Sequence, residues 1–192
     1  MRRKDLASLR AEWVSQARGD VVELGIGSGL NLPFYSNDVR RIYGVEPSLA
    51  MQKMARQRLT PGRSVEFLSQ SAEDSLPFAE SSMDYAVSTW SLCTIPDAAR
   101  ALREVRRVLK RDGRLVFIEH GWSPDAPVAR WQNRLNRTWN RIAGGCNLNR
   151  KIVELVEGAG FRIVELKTGY LPGPRPMSYT YEGLAEKLDS TE

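Results

Sequence analysis

The chain alternates between short apolar runs of strand length and stretches whose apolar residues recur every three or four positions. The apolar runs predict seven strands, at residues 21–24, 41–45, 65–68, 83–89, 115–118, 161–166 and 177–181. The helical spacing predicts helices at residues 3–18, 30–35, 48–59, 97–110, 126–143 and 150–157. The fourth run, Met83 to Thr89, is almost entirely apolar, which is typical of a strand buried on both faces.

Strand and helix alternate at least five times, which indicates right-handed βαβ crossovers and an α/β fold. We expect a mostly parallel sheet with helices on both faces. The chain has 192 residues and contains no internal repeat or linker, so a single domain is predicted over 1–192. Ligands of such sheets bind beyond the carboxyl ends of the strands, so candidate functional residues are sought there.

Composition excludes several classes of protein. Hydrophobic residues make up 42% and charged residues 27%, which is typical of a folded domain and not of a disordered or fibrous chain. Two cysteines are too few for a disulfide-rich secreted scaffold. The sequence lacks an apolar run near eighteen residues and an apolar stretch after its charged start, so neither a membrane span nor a secretory signal is expected, and the expected location is cytoplasmic.

The net charge of +5 raises the question of an anionic partner. Five arginines and no acidic residue fall within residues 126–150. A basic surface of this kind suits nucleic acid or a membrane surface, and both remain open at this point.

A glycine-rich turn, Gly25-Ile26-Gly27-Ser28-Gly29, follows the first predicted strand directly. Glycines there allow a tight turn and a close approach of a ligand to the backbone. The spacing is one residue shorter than in dinucleotide-binding loops, and the preceding Glu23 suits an ammonium group better than a pyrophosphate. A plain glycine turn is the alternative.

Acidic residues follow the next two strands. Glu46 ends the second strand, where a carboxylate can accept hydrogen bonds from both ribose hydroxyls of a nucleotide. After the third strand, the small residue Ala72 and the acidic residue Glu73 can face an adenine ring and its amino group. Glu73 could instead cap a turn.

These motifs together resemble a class I S-adenosylmethionine-dependent methyltransferase. The segments VELGIGSGLNL, GVEPS, SAEDSLPF, MDYAVSTWSLCTIPD and LREVRRVLKRDGRLVFIEHG occur in order over about residues 20–121. The resemblance implies a Rossmann-like, seven-stranded sheet with a last antiparallel strand and S-adenosyl-L-methionine as cofactor, with S-adenosyl-L-homocysteine as product. The cofactor-binding residues that it implies are Glu23, Gly25, Gly27, Gly29, Glu46, Pro47, Ala72, Glu73, Thr89 and Trp90.

A finer resemblance covers the C-terminal half. STWSLCTIPD, FIEHG and GGCNLNR are similar to the subgroup that includes alkyl-thiol S-methyltransferases, with Asn149 where the subgroup usually has threonine. The first half is also similar to quinone and phospholipid methyltransferases. The subgroup implies a small-molecule thiol acceptor. The candidate substrate-binding residues are Trp122, Trp131, Trp139, Cys146 and Arg150, although Arg150 could simply fix its loop.

Methyl transfer from a sulfonium is an in-line displacement, and a thiol acceptor must lose its proton because the thiolate is the nucleophile. His120, the only histidine, and Glu119 end the fifth predicted strand and are the candidate catalytic residues. A histidine that only hydrogen-bonds a loop is the alternative. Direct transfer needs no protein nucleophile, and two isolated cysteines, Cys93 and Cys146, cannot form a structural zinc site, so no metal is expected.

The basic segment is predicted to be a lid over the acceptor pocket, spanning residues 121–150. Trp131, Leu135, Trp139 and Ile142 would form one apolar stripe toward the acceptor, with the arginines on an adjacent stripe. A core-packed helix with a solvated face is the alternative reading. A lid of this kind leaves peripheral membrane contact open, and the oligomeric state is not predicted.

Other functions remain to be weighed. The alternative acceptors are an oxygen, nitrogen or carbon atom of a small apolar or lipid-like molecule. A nucleic-acid methyltransferase is disfavoured because Ser88-Thr89-Trp90-Ser91 differs from the Asn/Asp-Pro-Pro-aromatic stretch typical of the amino-group enzymes. A non-enzymatic cofactor-binding protein is disfavoured by the intact glycines, Glu46 and Glu73.

Overall fold

The computed structural model of the protein describes residues 3–188. Within them the strands are Gly19–Leu24 (β1), Val39–Val45 (β2), Val65–Leu68 (β3), Met83–Thr89 (β4), Leu109–His120 (β5), Phe161–Tyr170 (β6) and Tyr179–Lys187 (β7). The α-helices are Arg3–Trp13 (α1), Leu49–Arg56 (α2), Ala98–Val108 (α3), Ala126–Ile142 (α4) and Ile152–Gly158 (α5). Short 3₁₀ turns cover Val14–Gln16, Leu32–Phe34 and Arg175–Met177.

The seven strands form one sheet in the order β3-β2-β1-β4-β5-β7-β6. The first five strands pair in parallel, and β7 inserts antiparallel between β5 and β6. The predicted Rossmann-like sheet with a last antiparallel strand is therefore confirmed. The strand order reverses between β1 and β4, which places the expected ligand crevice at their carboxyl ends.

Alternate side chains of the strands fill two separate cores on the two faces of the sheet. One core joins Val22 and Phe117 to α3 and α5, and the other joins Val21 to Trp13. Buried side chains on both faces explain why the central strands are continuous apolar runs. Helices α2 and α3 begin at side-chain caps: Ser48 accepts from the Met51 amide, and Asp97 accepts from the Arg100 amide.

All six predicted helices are shorter in the structure, and two of them are partly or wholly 3₁₀ turns. The predicted helix at residues 3–18 ends as an α-helix at Trp13 and continues only as the 3₁₀ turn Val14–Gln16. The predicted helix at 30–35 is wrong, because only the 3₁₀ turn Leu32–Phe34 forms there, with Pro33 at its start. The turn ends at Tyr35, whose backbone is extended.

Five predicted strands have different bounds, and β5 and β7 differ most. Strand β5 begins at Leu109, and the Asp112-Gly113 pair, a sequence typical of a turn, lies inside it, where the pairing with β4 shifts register. Strand β7 covers Tyr179–Lys187 and not residues 177–181, because its pairing with β5 and β6 continues through Glu186. Within residues 3–188, no helix is both long enough and apolar enough to cross a membrane.

Candidate active site

A cavity of about 400 Å³ lies at the carboxyl ends of the central strands, where the strand order reverses. This volume is in the range of small-molecule and cofactor sites. The lining residues come from the loops that follow β1, β2, β3 and β4 and from the end of the α4 segment. They are Gly25, Val45, Glu46, Pro47, Ser71, Ala72, Trp90, Ser91, Thr94, Ile95, Pro96 and Gly144.

The glycine turn forms one wall of this cavity. Gly25 has φ of +64°, and a β-carbon there would lie 2.5 Å from Ser91 Oγ, so only glycine fits. Gly27 also has positive φ, and its amide donates to Glu46 Oε2 at 3.2 Å. Gly29 lies farther from the cavity and packs against Leu32 and Ala55. The turn therefore brings backbone close to the cavity at Gly25.

Glu46 lies at the end of β2, in direct contact with this turn. Its second oxygen, Oε1, accepts from the Ser48 amide at 2.8 Å. The two amides fix the carboxylate, and each oxygen keeps a lone pair that can accept from a hydroxyl group. Pro47 and Ala72 line the cavity beside it, so three residues predicted to hold the adenosine part lie together.

Glu23 and Thr89 lie behind the cavity wall and not on its lining. Glu23 is buried, and its carboxylate accepts from Asn31 Nδ2 and Tyr35 Oη, both at 2.7 Å. Asn31 Nδ2 also donates to Thr89 Oγ1 at 2.9 Å. Burial raises the pKa of Glu23 to about 7, although the hydrogen bonds from Tyr35 and Asn31 partly offset it. A contact between Glu23 and an ammonium group stays a prediction.

Glu73 points away from the cavity. Its Oε1 accepts from the Asp97 amide at 3.0 Å, next to the start of α3, in agreement with the alternative that it serves a turn. The adjacent Ala72 lines the cavity, and so does Ser71, which the sequence analysis did not single out.

Trp90 combines a strained backbone with a buried, unpaired donor. Its φ is +51°, a conformation that is uncommon and costly for a bulky residue, and that concentrates at functional sites. Its indole Nε1 is buried without a hydrogen-bond partner among residues 3–188. The Arg10 guanidinium lies over the indole, 4.7 Å from its centroid. These features mark Trp90 as a wall residue whose position is imposed by its surroundings.

Glu119 has the contacts of a positioning residue. It is fully buried, and its Oε1 accepts from Ser88 Oγ at 2.8 Å and from the amides of Ser91 and Leu92, both at 3.0 Å. Burial raises its pKa, and these hydrogen bonds oppose the increase. Glu119 does not line the cavity. The geometry therefore does not support its predicted catalytic role and assigns it to the loop after β4.

Arg150 holds the same loop from the other side. Its Nη1 donates to the carbonyls of Leu92 and Ile95 at 2.5 and 2.7 Å, and its Nη2 donates to Pro96 at 3.4 Å. Arg150 was expected either to contact the acceptor or to fix its loop, and these hydrogen bonds show that it fixes the loop. Because Ile95 and Pro96 line the cavity, Arg150 shapes the cavity indirectly.

His120, Cys93 and Cys146 come together at one place. His120 Nε2 lies 2.9 Å from Cys146 Sγ, and Trp139 Nε1 donates to Cys146 Sγ at 3.3 Å. Cys93 Sγ lies within 4.8 Å of both His120 and Cys146 and donates to the Trp90 carbonyl at 3.5 Å. The prediction that the two cysteines are isolated is therefore wrong. The expectation that the protein binds no metal was based on that prediction. The cysteines' separation of 53 positions in the chain hid this contact.

The three groups shift one another's protonation. The hydrogen bond from Cys93 and then the contact with His120 lower the pKa of Cys146, and the same pairing raises the pKa of Cys93. Burial alone would lower the pKa of His120, but the hydrogen bond with Cys146 and its charge raise it. These pKa shifts favour a thiolate at Cys146 beside a protonated His120.

Helix α4 does not present the predicted apolar stripe. Trp131 is 55% exposed and Ile142 is 74% exposed, whereas Leu135 and Trp139 pack against the buried cluster of Cys93, Cys146 and Leu148. The arginines at 130, 134, 137 and 141 are exposed. The inward face is instead centred on residues 129, 132, 136 and 139, about one position away from the predicted stripe.

A buried glutamine anchors this helix. Gln132 Oε1 accepts from the Ser123 amide at 2.8 Å, and its Nε2 donates to Gly121 and Pro176 carbonyls at 2.9 and 3.1 Å. Trp122 is half-buried, and its amide donates a hydrogen bond of 2.9 Å to the Arg150 carbonyl. Trp122, Trp131, Trp139, Cys146 and Arg150 are absent from the lining of the cavity, although their neighbour Gly144 is present.

The remaining lining residues were not predicted from the sequence; they are Val45, Ser71, Ser91, Thr94, Ile95, Pro96 and Gly144. A signal for four of them was present, because Ser91, Thr94, Ile95 and Pro96 belong to the segment STWSLCTIPD that directly follows a buried strand. Asn31, which bridges Glu23 and Thr89, had no comparable signal, since a polar residue after a glycine turn is common.

Comparison with known proteins shows the family of this chain. The family described as "Methyltransferase domain" matches residues 22–117. The chain is 34% identical over 151 residues to thiol S-methyltransferase TMT1B of Rattus norvegicus, covering 77% of this chain and 62% of the rat protein. It is 31% identical over 176 residues to TMT1B of Homo sapiens, covering 85% of this chain and 72% of the human protein. The chain therefore spans about two thirds of the length of these relatives.

Solved structures share the fold at low sequence identity. A putative methyltransferase from Bacillus halodurans has a TM-score of 0.75 and 18% identity, with 97% of this chain and 100% of that chain covered. Geranyl diphosphate methyltransferase in complex with SAM has a TM-score of 0.71 and 14% identity, with 96% and 85% covered. The chain belongs to the S-adenosylmethionine-dependent methyltransferase family, which confirms the family and the cofactor that its motifs indicated.

Proposed function

We propose that this protein transfers the methyl group of S-adenosylmethionine to the sulfur of a small-molecule thiol. The observation that carries the proposal is the similarity to the thiol S-methyltransferases, which extends over 85% of the chain for the human protein. The similarity includes the C-terminal half, where methyltransferases with different acceptors differ most. The thiol acceptor is that of the relatives, and for this chain it is a proposal.

The cavity supports the cofactor part of the proposal. Gly25 lets the methionine part approach the backbone, Glu46 accepts from the ribose hydroxyls, and Ala72 lies by the adenine ring. Trp90 would stand beside the sulfonium, where a flat aromatic face suits a cation. All four residues line the same cavity, as this assignment requires.

The chemical step is an in-line displacement. The acceptor sulfur forms a bond to the methyl carbon, and the carbon–sulfonium bond breaks with its electron pair on the sulfur that becomes S-adenosylhomocysteine. Because the cofactor carries an activated methyl group, the protein supplies position and a water-poor site. In the proposal, the segment 121–150 covers the acceptor, and Gly144 on the cavity lining supports that placement.

The thiol acceptor must lose its proton before it reacts, and neither predicted catalytic residue is placed to accept that proton. His120 Nε2 already lies 2.9 Å from Cys146 Sγ, and Glu119 is committed to the loop after β4. Neither predicted catalytic residue lines the cavity with a free basic atom. The proposal therefore treats His120 as part of a cluster with the two cysteines and not as an independent base.

The experiment that tests the proposal compares acceptors that differ in one atom. Initial rates with S-adenosylmethionine are measured by product mass for an alkyl thiol, the matched alcohol and the matched amine. We expect methylation of the thiol alone, and loss of it in Glu46→Ala. Faster methylation of the alcohol or amine would overturn the thiol assignment, while leaving the family membership intact.

A further inference from the structure

Three metal-binding side chains converge at one point of the structure. The ligand atoms of Cys93, His120 and Cys146 all lie within 4.8 Å of one another. Ligand atoms around a tetrahedral Zn²⁺ lie about 3.5 to 3.8 Å apart, given Zn–S and Zn–N bonds of about 2.3 and 2.0 Å. His120 Nε2 and Cys146 Sγ are 2.9 Å apart and all three ligand atoms lie within 4.8 Å of one another, so the range of separations includes that spacing.

The three ligands lie on three different segments, each of which is held by contacts of its own backbone. His120 ends β5, a central strand of the sheet. Asn147 fixes Cys93, because its amide and its Nδ2 both donate to the Cys93 carbonyl, at 2.8 and 3.1 Å. Cys146 follows a turn in which Gly145 has φ of +88° and approaches Thr94 so closely that a β-carbon would lie 3.4 Å from its carbonyl. The convergence is therefore built by three parts of the fold.

The two sulfurs have apolar surroundings, whereas His120 is only partly buried. Both cysteines are buried, and Leu148, Leu135 and Met177 pack around them. The Trp139 indole donates to Cys146 Sγ, a contact outside the ligands that would orient the thiolate. Two sulfurs and one imidazole nitrogen are the donors that Zn²⁺ prefers, and oxygen-seeking cations such as Mg²⁺ are disfavoured by them.

We propose that Cys93, His120 and Cys146 form a three-ligand Zn²⁺ site whose fourth coordination position takes an exogenous thiolate. Three protein ligands with an open fourth position are the arrangement of catalytic zinc, whereas structural zinc sites use four. On binding, Cys93 would lose its thiol proton and His120 the proton on Nε2, both to solvent, and the two sulfurs and Nε2 would each donate an electron pair to the metal.

An incoming thiol would likewise lose its proton to solvent and bind as the thiolate, since Zn²⁺ deprotonates a coordinating thiol. That the bound thiolate is the methyl acceptor rests on the proposed function. In the transfer itself, the thiolate sulfur takes the methyl carbon and leaves the metal as a neutral thioether. This site would supply the activation that neither Glu119 nor a free His120 provides.

Metal binding is tested without any methylation assay. The full chain is reduced with a phosphine, freed of metal, and titrated with Zn²⁺ and with Co²⁺. We expect one tightly bound Zn²⁺ per chain, thiolate-to-Co²⁺ charge-transfer bands, and protection of both cysteines from alkylation. Because the chain has only two cysteines, alkylation of the wild type reports on the ligands without any variant.

Variants assign the ligands. Cys93→Ser, Cys146→Ser and His120→Ala should each weaken Zn²⁺ binding by more than about 100-fold, since loss of an outer partner alone costs 10- to 100-fold. Arg137→Gln, on the exposed face of α4, is the control and should bind as the wild type does. Melting temperatures of the metal-free variants identify any that fail to fold. Zn²⁺ binding that is absent in the wild type, or equal in all variants, would overturn the site.

The open position is tested by adding an alkyl thiol or its matched alcohol to the Co²⁺ form. The thiol should intensify and shift the charge-transfer bands, and the alcohol should leave them unchanged. A spectrum that is unaffected by the thiol would overturn the open fourth position. Both results are independent of S-adenosylmethionine, so a protein that binds Zn²⁺ and thiol yet methylates no thiol would refute the proposed function and leave this site standing.

Discussion

The Gly27 amide donates a hydrogen bond of 3.2 Å to Glu46 Oε2, and this contact joins the glycine turn after β1 to the end of β2. The carboxylate thereby faces the cavity with both oxygens fixed. A residue that is held in place before the ligand binds loses little conformational entropy on binding. The geometry makes Glu46 the most direct point at which to test cofactor binding.

Glu46→Gln should weaken S-adenosylmethionine binding by about 10- to 100-fold, because a hydrogen bond to a charged group is worth about 1.5 to 3 kcal/mol. Titration calorimetry with S-adenosylhomocysteine measures the effect without turnover. Glu66→Gln, an exposed glutamate on β3, is the matched control and should bind as the wild type does. Equal affinities of the Glu46 variant and the wild type would show that Glu46 does not hold the ribose.

Glu23 should make the ligand-free protein less stable as the pH rises. Burial raises its pKa to about 7, from an ordinary value of 4.5. At a pH between 4.5 and about 7, Glu23 is ionised in the unfolded chain and protonated in the folded protein. The unfolded state then binds fewer protons, so the free energy of unfolding falls with increasing pH, by about 3 kcal/mol in total.

Glu23→Gln removes this titration and can keep the hydrogen bonds to Asn31 and Tyr35. Urea unfolding at pH 5 and pH 8 should show that the variant gains stability relative to the wild type as the pH rises. The same stability difference at both pH values would mean that Glu23 is ionised in the folded protein throughout this range.

Glu119→Ala should destabilise the protein by about 3 kcal/mol, because it leaves Ser88 Oγ and the amides of Ser91 and Leu92 buried without an acceptor. Glu119→Gln keeps one acceptor oxygen and should cost about 1 kcal/mol, with turnover largely retained. Denaturant unfolding and steady-state rates measure both. A stable Glu119→Gln protein that has lost turnover would restore the catalytic role predicted from the sequence.

Arg150→Lys should lower stability by about 2 kcal/mol, because lysine keeps the charge but cannot reach the carbonyls of Leu92 and Ile95 with a planar fork. Cofactor affinity should fall with it, since Ile95 lines the cavity. The control is Arg141→Lys, on the exposed face of α4. If both lysine variants unfold at the same denaturant concentration as the wild type, Arg150 does not hold the loop.

The sequence predicted the parts of the fold that depend on local pattern. The buried strand Met83–Thr89 was recognisable because its apolar run is longer than chance and is bounded by turn residues. Strand β5 was underestimated because Asp112-Gly113, a strong turn signal, is accommodated within the strand at a register shift against β4. At this position the pairing with the neighbouring strand overrides the local preference for a turn.

The site was predictable where a residue directly follows a strand and not where distant loops meet. Gly25, Glu46, Ala72 and Trp90 were found because the ends of parallel strands converge. The contact between Cys93 and Cys146 depends on the path of the α4 segment, which has no periodic pattern that fixes it. Glu119 was predicted to be catalytic because the sequence cannot distinguish a carboxylate that faces a cavity from one that faces a loop, when both lie at the end of a strand.

The central claim, methylation at sulfur, is tested most directly with an acceptor that carries both a thiol and a hydroxyl group, such as 2-mercaptoethanol, and S-adenosylmethionine labelled with deuterium in the methyl group. Fragmentation mass spectrometry of the product locates the label. The account predicts a labelled thioether with a free hydroxyl group and no remaining reactive thiol. A labelled ether that still carries a free thiol would contradict it.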